Sequence, residues 1–204
     1  MQICGSLYIE VSQSNRGYTM KRIATLAASM LAVFSFSACA TTGFSISSTD
    51  MSQGKPLTEN QVFNGFGCSG QNISPQLAWQ KPPAGTKSYA ITVYDPDAPT
   101  GSGWWHWTVV NIPAAVNTLP AGAGDAAKAK LPAGAVQGRN DFGYSGFGGA
   151  CPPAGANPHR YQFTVWALSA DKLPIDNNAS GALVGFMLNS NVISKAQLTA
   201  IYGR

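Results

Sequence analysis

The sequence predicts an all-β, antiparallel domain, and three observations carry that prediction. The chain of 204 residues contains 22 Gly and 13 Pro, more than a helical protein carries. Only 11% of its residues are charged while 45% are hydrophobic, so a helical bundle or coiled coil is not expected, and the low-hydrophobicity, high-charge signature of disorder is absent. Short runs rich in β-branched and aromatic residues recur along the chain, each bounded by Pro, Gly, Asn or Asp.

Taken in order, those runs place strands at residues 43–48, 88–94, 107–112, 161–168 and 199–202. Residues 89–94 and 161–168 read as strands through the core, because their aromatic and β-branched side chains suit a buried pleated surface. The first runs into Asp95-Pro-Asp-Ala-Pro99 and the second follows Pro158-His-Arg160, so two polar clusters sit where a strand meets a loop. One region reads as helix: Ser180 caps residues 181–188, with Leu183, Val184, Phe186, Met187 and Leu188 on a broad apolar face and Asn189-Ser190-Asn191 ending it. A further turn or two of helix is expected between Val192 and Leu198.

Ahead of this domain stands a targeting segment. From Met20 the chain reads Met-Lys-Arg22, then an uncharged run over residues 23–38, then Ala38-Cys39-Ala40. A basic start, an apolar core too short to span a bilayer and a small-residue cleavage pattern make a secretory signal peptide over residues 20–40. Residues 1–19 read as an upstream extension from a misassigned start, with the product expected to begin at Met20. Cleavage after Ala40 would release a soluble protein, and this match is the cleaner one. The run Phe36-Ser-Ala-Cys39 also resembles a lipoprotein box with Phe in place of Leu, which would anchor the chain through Cys39.

The mature domain, residues 41–204, keeps ten basic and eight acidic groups and two of the four cysteines, Cys68 and Cys151. Neither the net charge of +4 for the whole chain nor its distribution makes a nucleic-acid footprint. In an oxidising compartment the two cysteines are expected to pair, the alternative being two free thiols. Such a bond would close a loop of about 83 residues, which the chain-entropy argument values at about 4–5 kcal/mol.

Several motifs compete for the function. Gly65-Phe-Gly-Cys-Ser-Gly70 matches G-x-G-x-x-G, but Pro75 prevents the helix that a dinucleotide site needs, so the glycines read as a tight loop. Gly143-Tyr-Ser-Gly146 lacks the glycine of a nucleophile elbow. Asp95, Asp97, His106 and His159 offer oxygen and nitrogen atoms, yet no histidine or cysteine pair stands at metal-ligand spacing, so neither a metal nor another cofactor is expected.

Three rigid clusters are more specific: Asp95-Pro-Asp-Ala-Pro99, Gly103-Trp-Trp-His-Trp107, and Cys151-Pro-Pro153 followed by Pro158-His-Arg-Tyr161. Together they resemble the phosphatidylethanolamine-binding protein family, in its bacterial Raf-kinase-inhibitor-like branch of the YbhB/YbcL type. Phe63 to Pro75, Gly138-Arg-Asn-Asp-Phe-Gly143 and residues 180–185 support the resemblance, which spans nearly all of residues 41–204.

The resemblance implies a Greek-key β-sandwich of two antiparallel sheets with one or two short C-terminal helices. It also implies a non-enzymatic periplasmic or secreted protein whose small pocket binds phosphate or a phospholipid head group. By motif position the pocket carries over onto Asp95, Asp97, Trp104, His106, Pro153, His159 and Tyr161. Trp105 stands where animal members have a second histidine and Cys151 where they have glycine; the second departure supports the disulfide if Cys68 lies beside it. The kinase that animal members inhibit does not carry over, although a protein target at the pocket mouth and a homodimer stay open.

Elementary chemistry runs alongside. His106 and His159 can each offer an N–H to a phosphoryl oxygen. Asp95 and Asp97 would repel an anion directly and are better suited to orienting the histidines, turning the loop, or meeting an ammonium group. The prolines stiffen the loops, and Trp104 and Tyr161 would form apolar walls, with Trp105 and Trp107 packing the core. A hydrolase using His and Asp as acid and base is the weaker rival, since nothing in the spacing demands it.

Overall fold

The computed structural model describes residues 43–204; the expected signal peptide and upstream extension, with Cys39, lie outside the described residues. In chain order the elements are β1 (Ser45–Ser47), β2 (Asn64–Gly65), β3 (Cys68–Ser69), β4 (Leu77–Gln80), β5 (Ser88–Asp95) and β6 (Trp104–Pro113). There follow β7 (Thr118–Leu119), β8 (Val136–Gln137), β9 (His159–Leu168), α1 (Gly181–Asn191) and β10 (Val192–Tyr202).

A five-stranded antiparallel sheet in the order β10-β9-β5-β6-β8 forms one layer, a three-stranded sheet β1-β4-β7 the second, and β2-β3 a separate hairpin. The large sheet is buried on both faces. Tyr89, Ile91 and Val93 of β5 join Trp107 and Val109 of β6, Phe163 and Val165 of β9, and Leu77 and Trp79 of β4 in the core between the sheets. On the opposite face Ala90, Val110, Trp166 and Leu168 meet Val184 and Leu188 of α1. This two-sided burial accounts for nearly continuous apolar runs in β5 and β9 where a half-exposed strand would alternate.

The expected strands form, and β6 and β9 begin two or three residues earlier than the sequence reading placed them. Ser180 caps α1 by accepting from the Leu183 N–H at 3.2 Å. Two expectations are corrected. Residues 192–198 are not helical but belong to β10, which pairs along the whole of β9 from Val192–Leu168 to Tyr202–His159; their β-branched residues and an available sheet edge override the local helical pattern. The helix also does not bury its whole apolar set: Gly181, Val184, Gly185 and Leu188 face the sheet, while Leu183 and Phe186 are exposed. Glycines on the inner face let the helix approach Trp105 closely, and the larger side chains turn outward.

Candidate binding site

A β-bulge in β6 creates the site. Trp107 pairs with Val93 and Trp105 with Tyr94, leaving His106 as an extra residue without a β5 partner. Strict alternation would put His106 on the helix face. The bulge instead keeps His106 on the side of Trp107, with its ring 5.1 Å from Tyr161, while Trp105 packs under Gly181 and Gly185 of α1. On β9 the alternation is regular, so His159 and Tyr161 continue the inward row of Phe163 and Val165. Asp95 ends the inward row of β5. Three neighbouring strand ends thereby converge on a cavity of about 190 Å³.

Asp95, Trp104, His106, Pro153, His159 and Tyr161 all line this cavity. Asp97 does not. Its carboxylate forms a two-pronged ion pair with Arg160, Oδ1 to Nη2 at 2.6 Å and Oδ2 to Nε at 2.8 Å, and also accepts the Arg160 backbone N–H. That guanidinium holds the Asp97 carboxyl down at about 2.

Asp95, 3% exposed, serves two partners. Its Oδ1 accepts the Asp97 backbone N–H at 2.8 Å, building the turn, and its Oδ2 lies 2.7 Å from His159 Nδ1. His106 is held differently, with Nδ1 2.7 Å from the Gly148 carbonyl oxygen. Burial pushes the His106 ring toward its neutral form, opposed by the Gly148 carbonyl and by the charges of Asp95 and Asp141. Burial and the Asp95 charge raise the Tyr161 phenol far above its ordinary value, so it stays protonated. Among the described residues neither the Tyr161 hydroxyl nor the Trp104 indole Nε1 has a hydrogen-bond partner, although both atoms are buried.

The remaining wall includes Phe142 and Phe66, which the sequence reading did not single out. Phe142 meets His106 and Trp104 edge-on at 5.5 and 5.3 Å. Phe66 occupies the turn of the β2–β3 hairpin at φ 53° beside Gly67 at φ 82°, a backbone a phenylalanine seldom adopts, and its ring is 69% exposed. An aromatic residue inside a glycine-rich hairpin was the available signal. Cys68 and Cys151 form a disulfide that ties this hairpin to the wall segment carrying Pro153. Arg204 reinforces the tie by donating to the carbonyls of Pro152, Gly67 and Phe66.

Among the described residues no group of three or more His, Cys, Asp or Glu side chains is placed to hold a metal ion. No helix among them is long and apolar enough to cross a membrane. The arrangement offers a small apolar chamber with donors and acceptors on its walls.

The fold has known counterparts. Residues 47–203 match the sequence profile of the family described as Phosphatidylethanolamine-binding protein. The chain is 60% identical over 177 residues to the UPF0098 protein YbcL of Escherichia coli K12, covering 87% of this chain and 96% of that protein. It is 52% identical over 155 residues to YbhB of the same organism, covering 76% and 97%. The crystal structure of E. coli YbcL, described as a new member of the mammalian PEBP family, superimposes with a TM-score of 0.78 at 63% identity over 79% of this chain and 98% of that one. On the match of profile, relatives and fold, the chain belongs to the phosphatidylethanolamine-binding protein family.

Proposed function

We propose that this chain is a non-enzymatic binding protein, exported to the periplasm, that holds a small anionic group of phosphate or phosphoethanolamine type in the cavity between Asp95, His106, His159 and Tyr161. The observation that carries the reading is the pair of buried donors without partners among the described residues, the Tyr161 hydroxyl and the Trp104 indole N–H, which belong to two residues that line one chamber. Burying a donor unpaired costs about 1–3 kcal/mol, so two of them on one small cavity favour a ligand that accepts. The volume of about 190 Å³ suits a head group more than a drug-sized molecule. Asp97 acts on the ligand only indirectly, by fixing Arg160 next to His159. Among the described residues that line the cavity there is no Ser, and Cys151 is held in the disulfide, which argues for binding over turnover beside the His159–Asp95 pair.

Calorimetric titration with phosphate and with phosphoethanolamine tests the reading. Saturable binding that weakens at least tenfold in His159→Ala is expected, and equal binding by the variant would remove the site. The exposed Phe66 ring at the rim supports a second reading, a protein target contacted at the mouth. A partner recovered from a periplasmic extract that is lost on Phe66→Ser but retained by His159→Ala would favour it.

A further inference from the structure

The state of each polar atom in the cavity narrows the ligand further. A carbonyl oxygen only accepts, so the 2.7 Å contact with Gly148 places the His106 proton on Nδ1. The ring is 3% exposed and packs against Phe142 and Tyr161, surroundings that favour the neutral imidazole. The charged or titratable groups that bear on it are Asp95 from β5, Tyr161 from β9 and Asp141 from the loop beyond β8, with His159 on the same cavity wall. Neutral and protonated at Nδ1, His106 has a lone pair at Nε2, for which the described residues provide no donor. His106 is therefore an acceptor in the cavity, contrary to the donor role that its residue type suggests.

The charges point the same way. The cavity wall contains the Asp95 carboxylate and, among the described residues, neither Lys nor Arg. The nearby Arg160 is committed to Asp97, and Arg204 to three backbone carbonyls. A doubly charged oxyanion would meet Asp95 without a permanent cation to offset it, and its oxygens would face the His106 lone pair. A diester would face the same lone pair with no hydrogen to give.

We propose that the cavity selects an oxyanion carrying a proton, namely phosphate or a phosphate monoester in its singly charged form, whose P–OH donates to His106 Nε2 while other oxygens accept from Tyr161 and Trp104. The proposal rests on the oxyanion reading above and sharpens it: an intact phosphodiester head group is disfavoured. Sites built to make a hydrogen bond reject analogues that lack the matching group, because a buried polar atom is left unpaired.

Calorimetry on the unsubstituted protein with four probes at pH 5.5 and pH 8 tests this. Inorganic phosphate and sulfate share size and shape, but sulfate has no proton to donate at either pH. Monomethyl phosphate has a P–OH at the lower pH, while dimethyl phosphate has one negative charge and no P–OH at both. At pH 5.5, phosphate is expected to bind at least tenfold tighter than sulfate, and the monoester at least tenfold tighter than the diester. The monoester's advantage should fall at least tenfold by pH 8, since its second ionisation lies near about 6. Any pH dependence of the diester reports the protein's own titratable groups and is subtracted.

A margin below tenfold between phosphate and sulfate, or between the two esters where either ester binds, overturns the proposal and leaves the oxyanion reading standing. Saturation by none of the four overturns both. Phosphate preferred over sulfate with neither ester bound assigns the ligand to free phosphate, and success in both pairs assigns it to a monoester.

Discussion

The Tyr161 hydroxyl is a donor without a partner among the described residues at 1% residue exposure, although the rest of its ring packs in the core. Removing it separates stability from binding. Tyr161→Phe deletes a buried polar atom without opening a cavity, so denaturant unfolding should show a protein more stable by about 1 kcal/mol. The same variant should bind phosphate about tenfold or more weakly, because a hydrogen bond to a charged group is worth about 1.5–3 kcal/mol. A loss of stability without a loss of affinity would make Tyr161 a core residue only. Asp97 makes the opposite kind of contribution. Its carboxyl is depressed from 3.8 to about 2 by Arg160, so its stabilisation is complete above about pH 4 and disappears as the pH falls through 2. The effect is small because the pair is partly exposed to solvent. Melting curves should show Asp97→Asn below the wild type at pH 6, with the gap narrowing below about pH 4 and mostly closed at pH 2; a gap that stays constant from pH 6 to pH 2 would contradict the assignment. These atoms also show how far the sequence could be read. That Asp95, His106, His159 and Tyr161 belong together could be argued from motif resemblance and from two strand-to-loop junctions. That His106 accepts, and that Asp97 turns to Arg160, depends on contacts across 42 and 63 residues for which no local pattern exists.

At the scale of elements, strand β6 and helix α1 fit each other through glycine. A Cβ on Gly181 would overlap the Trp105 ring, whereas one on Gly185 would sit 3.5 Å from it, an ordinary contact. Gly181→Ala should therefore destabilise by about 1–3 kcal/mol through overpacking. Gly185→Ala should be neutral or stabilising by up to about 1 kcal/mol, since alanine is the better helix former. Thermal unfolding of the two variants checks the packing, and equal effects would refute it. The same contact explains which elements were legible. The cap at Ser180 and the strands β5 and β9 could be read because local composition and tertiary role agree there. The segment after Asn191 could not, because its residues become a strand only by pairing with β9. The bulge at His106 was equally hidden: a run of aromatic residues, Trp104-Trp-His-Trp107, has no polar alternation from which its facing could be read.

At the scale of the whole molecule, the Cys68–Cys151 disulfide closes 83 residues, including the strands β4 to β8, and its two ends meet at the rim of the cavity. Its loss acts first on the unfolded chain, whose loop-closure entropy it restricts; for a loop of this length the expected contribution is about 4–5 kcal/mol. The core between two sheets is large enough that the reduced protein should still fold. Cys68→Ser/Cys151→Ser is therefore expected to unfold cooperatively at a clearly lower denaturant concentration, with a steeper dependence on denaturant because the unlinked chain exposes more surface when unfolded. The native-state consequence is local. The β2–β3 hairpin would still be held to the wall by Arg204, through the carbonyls of Phe66, Gly67 and Pro152, and by the Phe63 N–H bonded to the Ala150 carbonyl. Phosphate affinity should accordingly fall by less than in Tyr161→Phe, since the disulfide shapes the chamber while Tyr161 supplies a donor to it. An unchanged unfolding midpoint after reduction would show that the bond adds no stability, and an affinity loss exceeding that of Tyr161→Phe would show that Arg204 alone does not hold the hairpin.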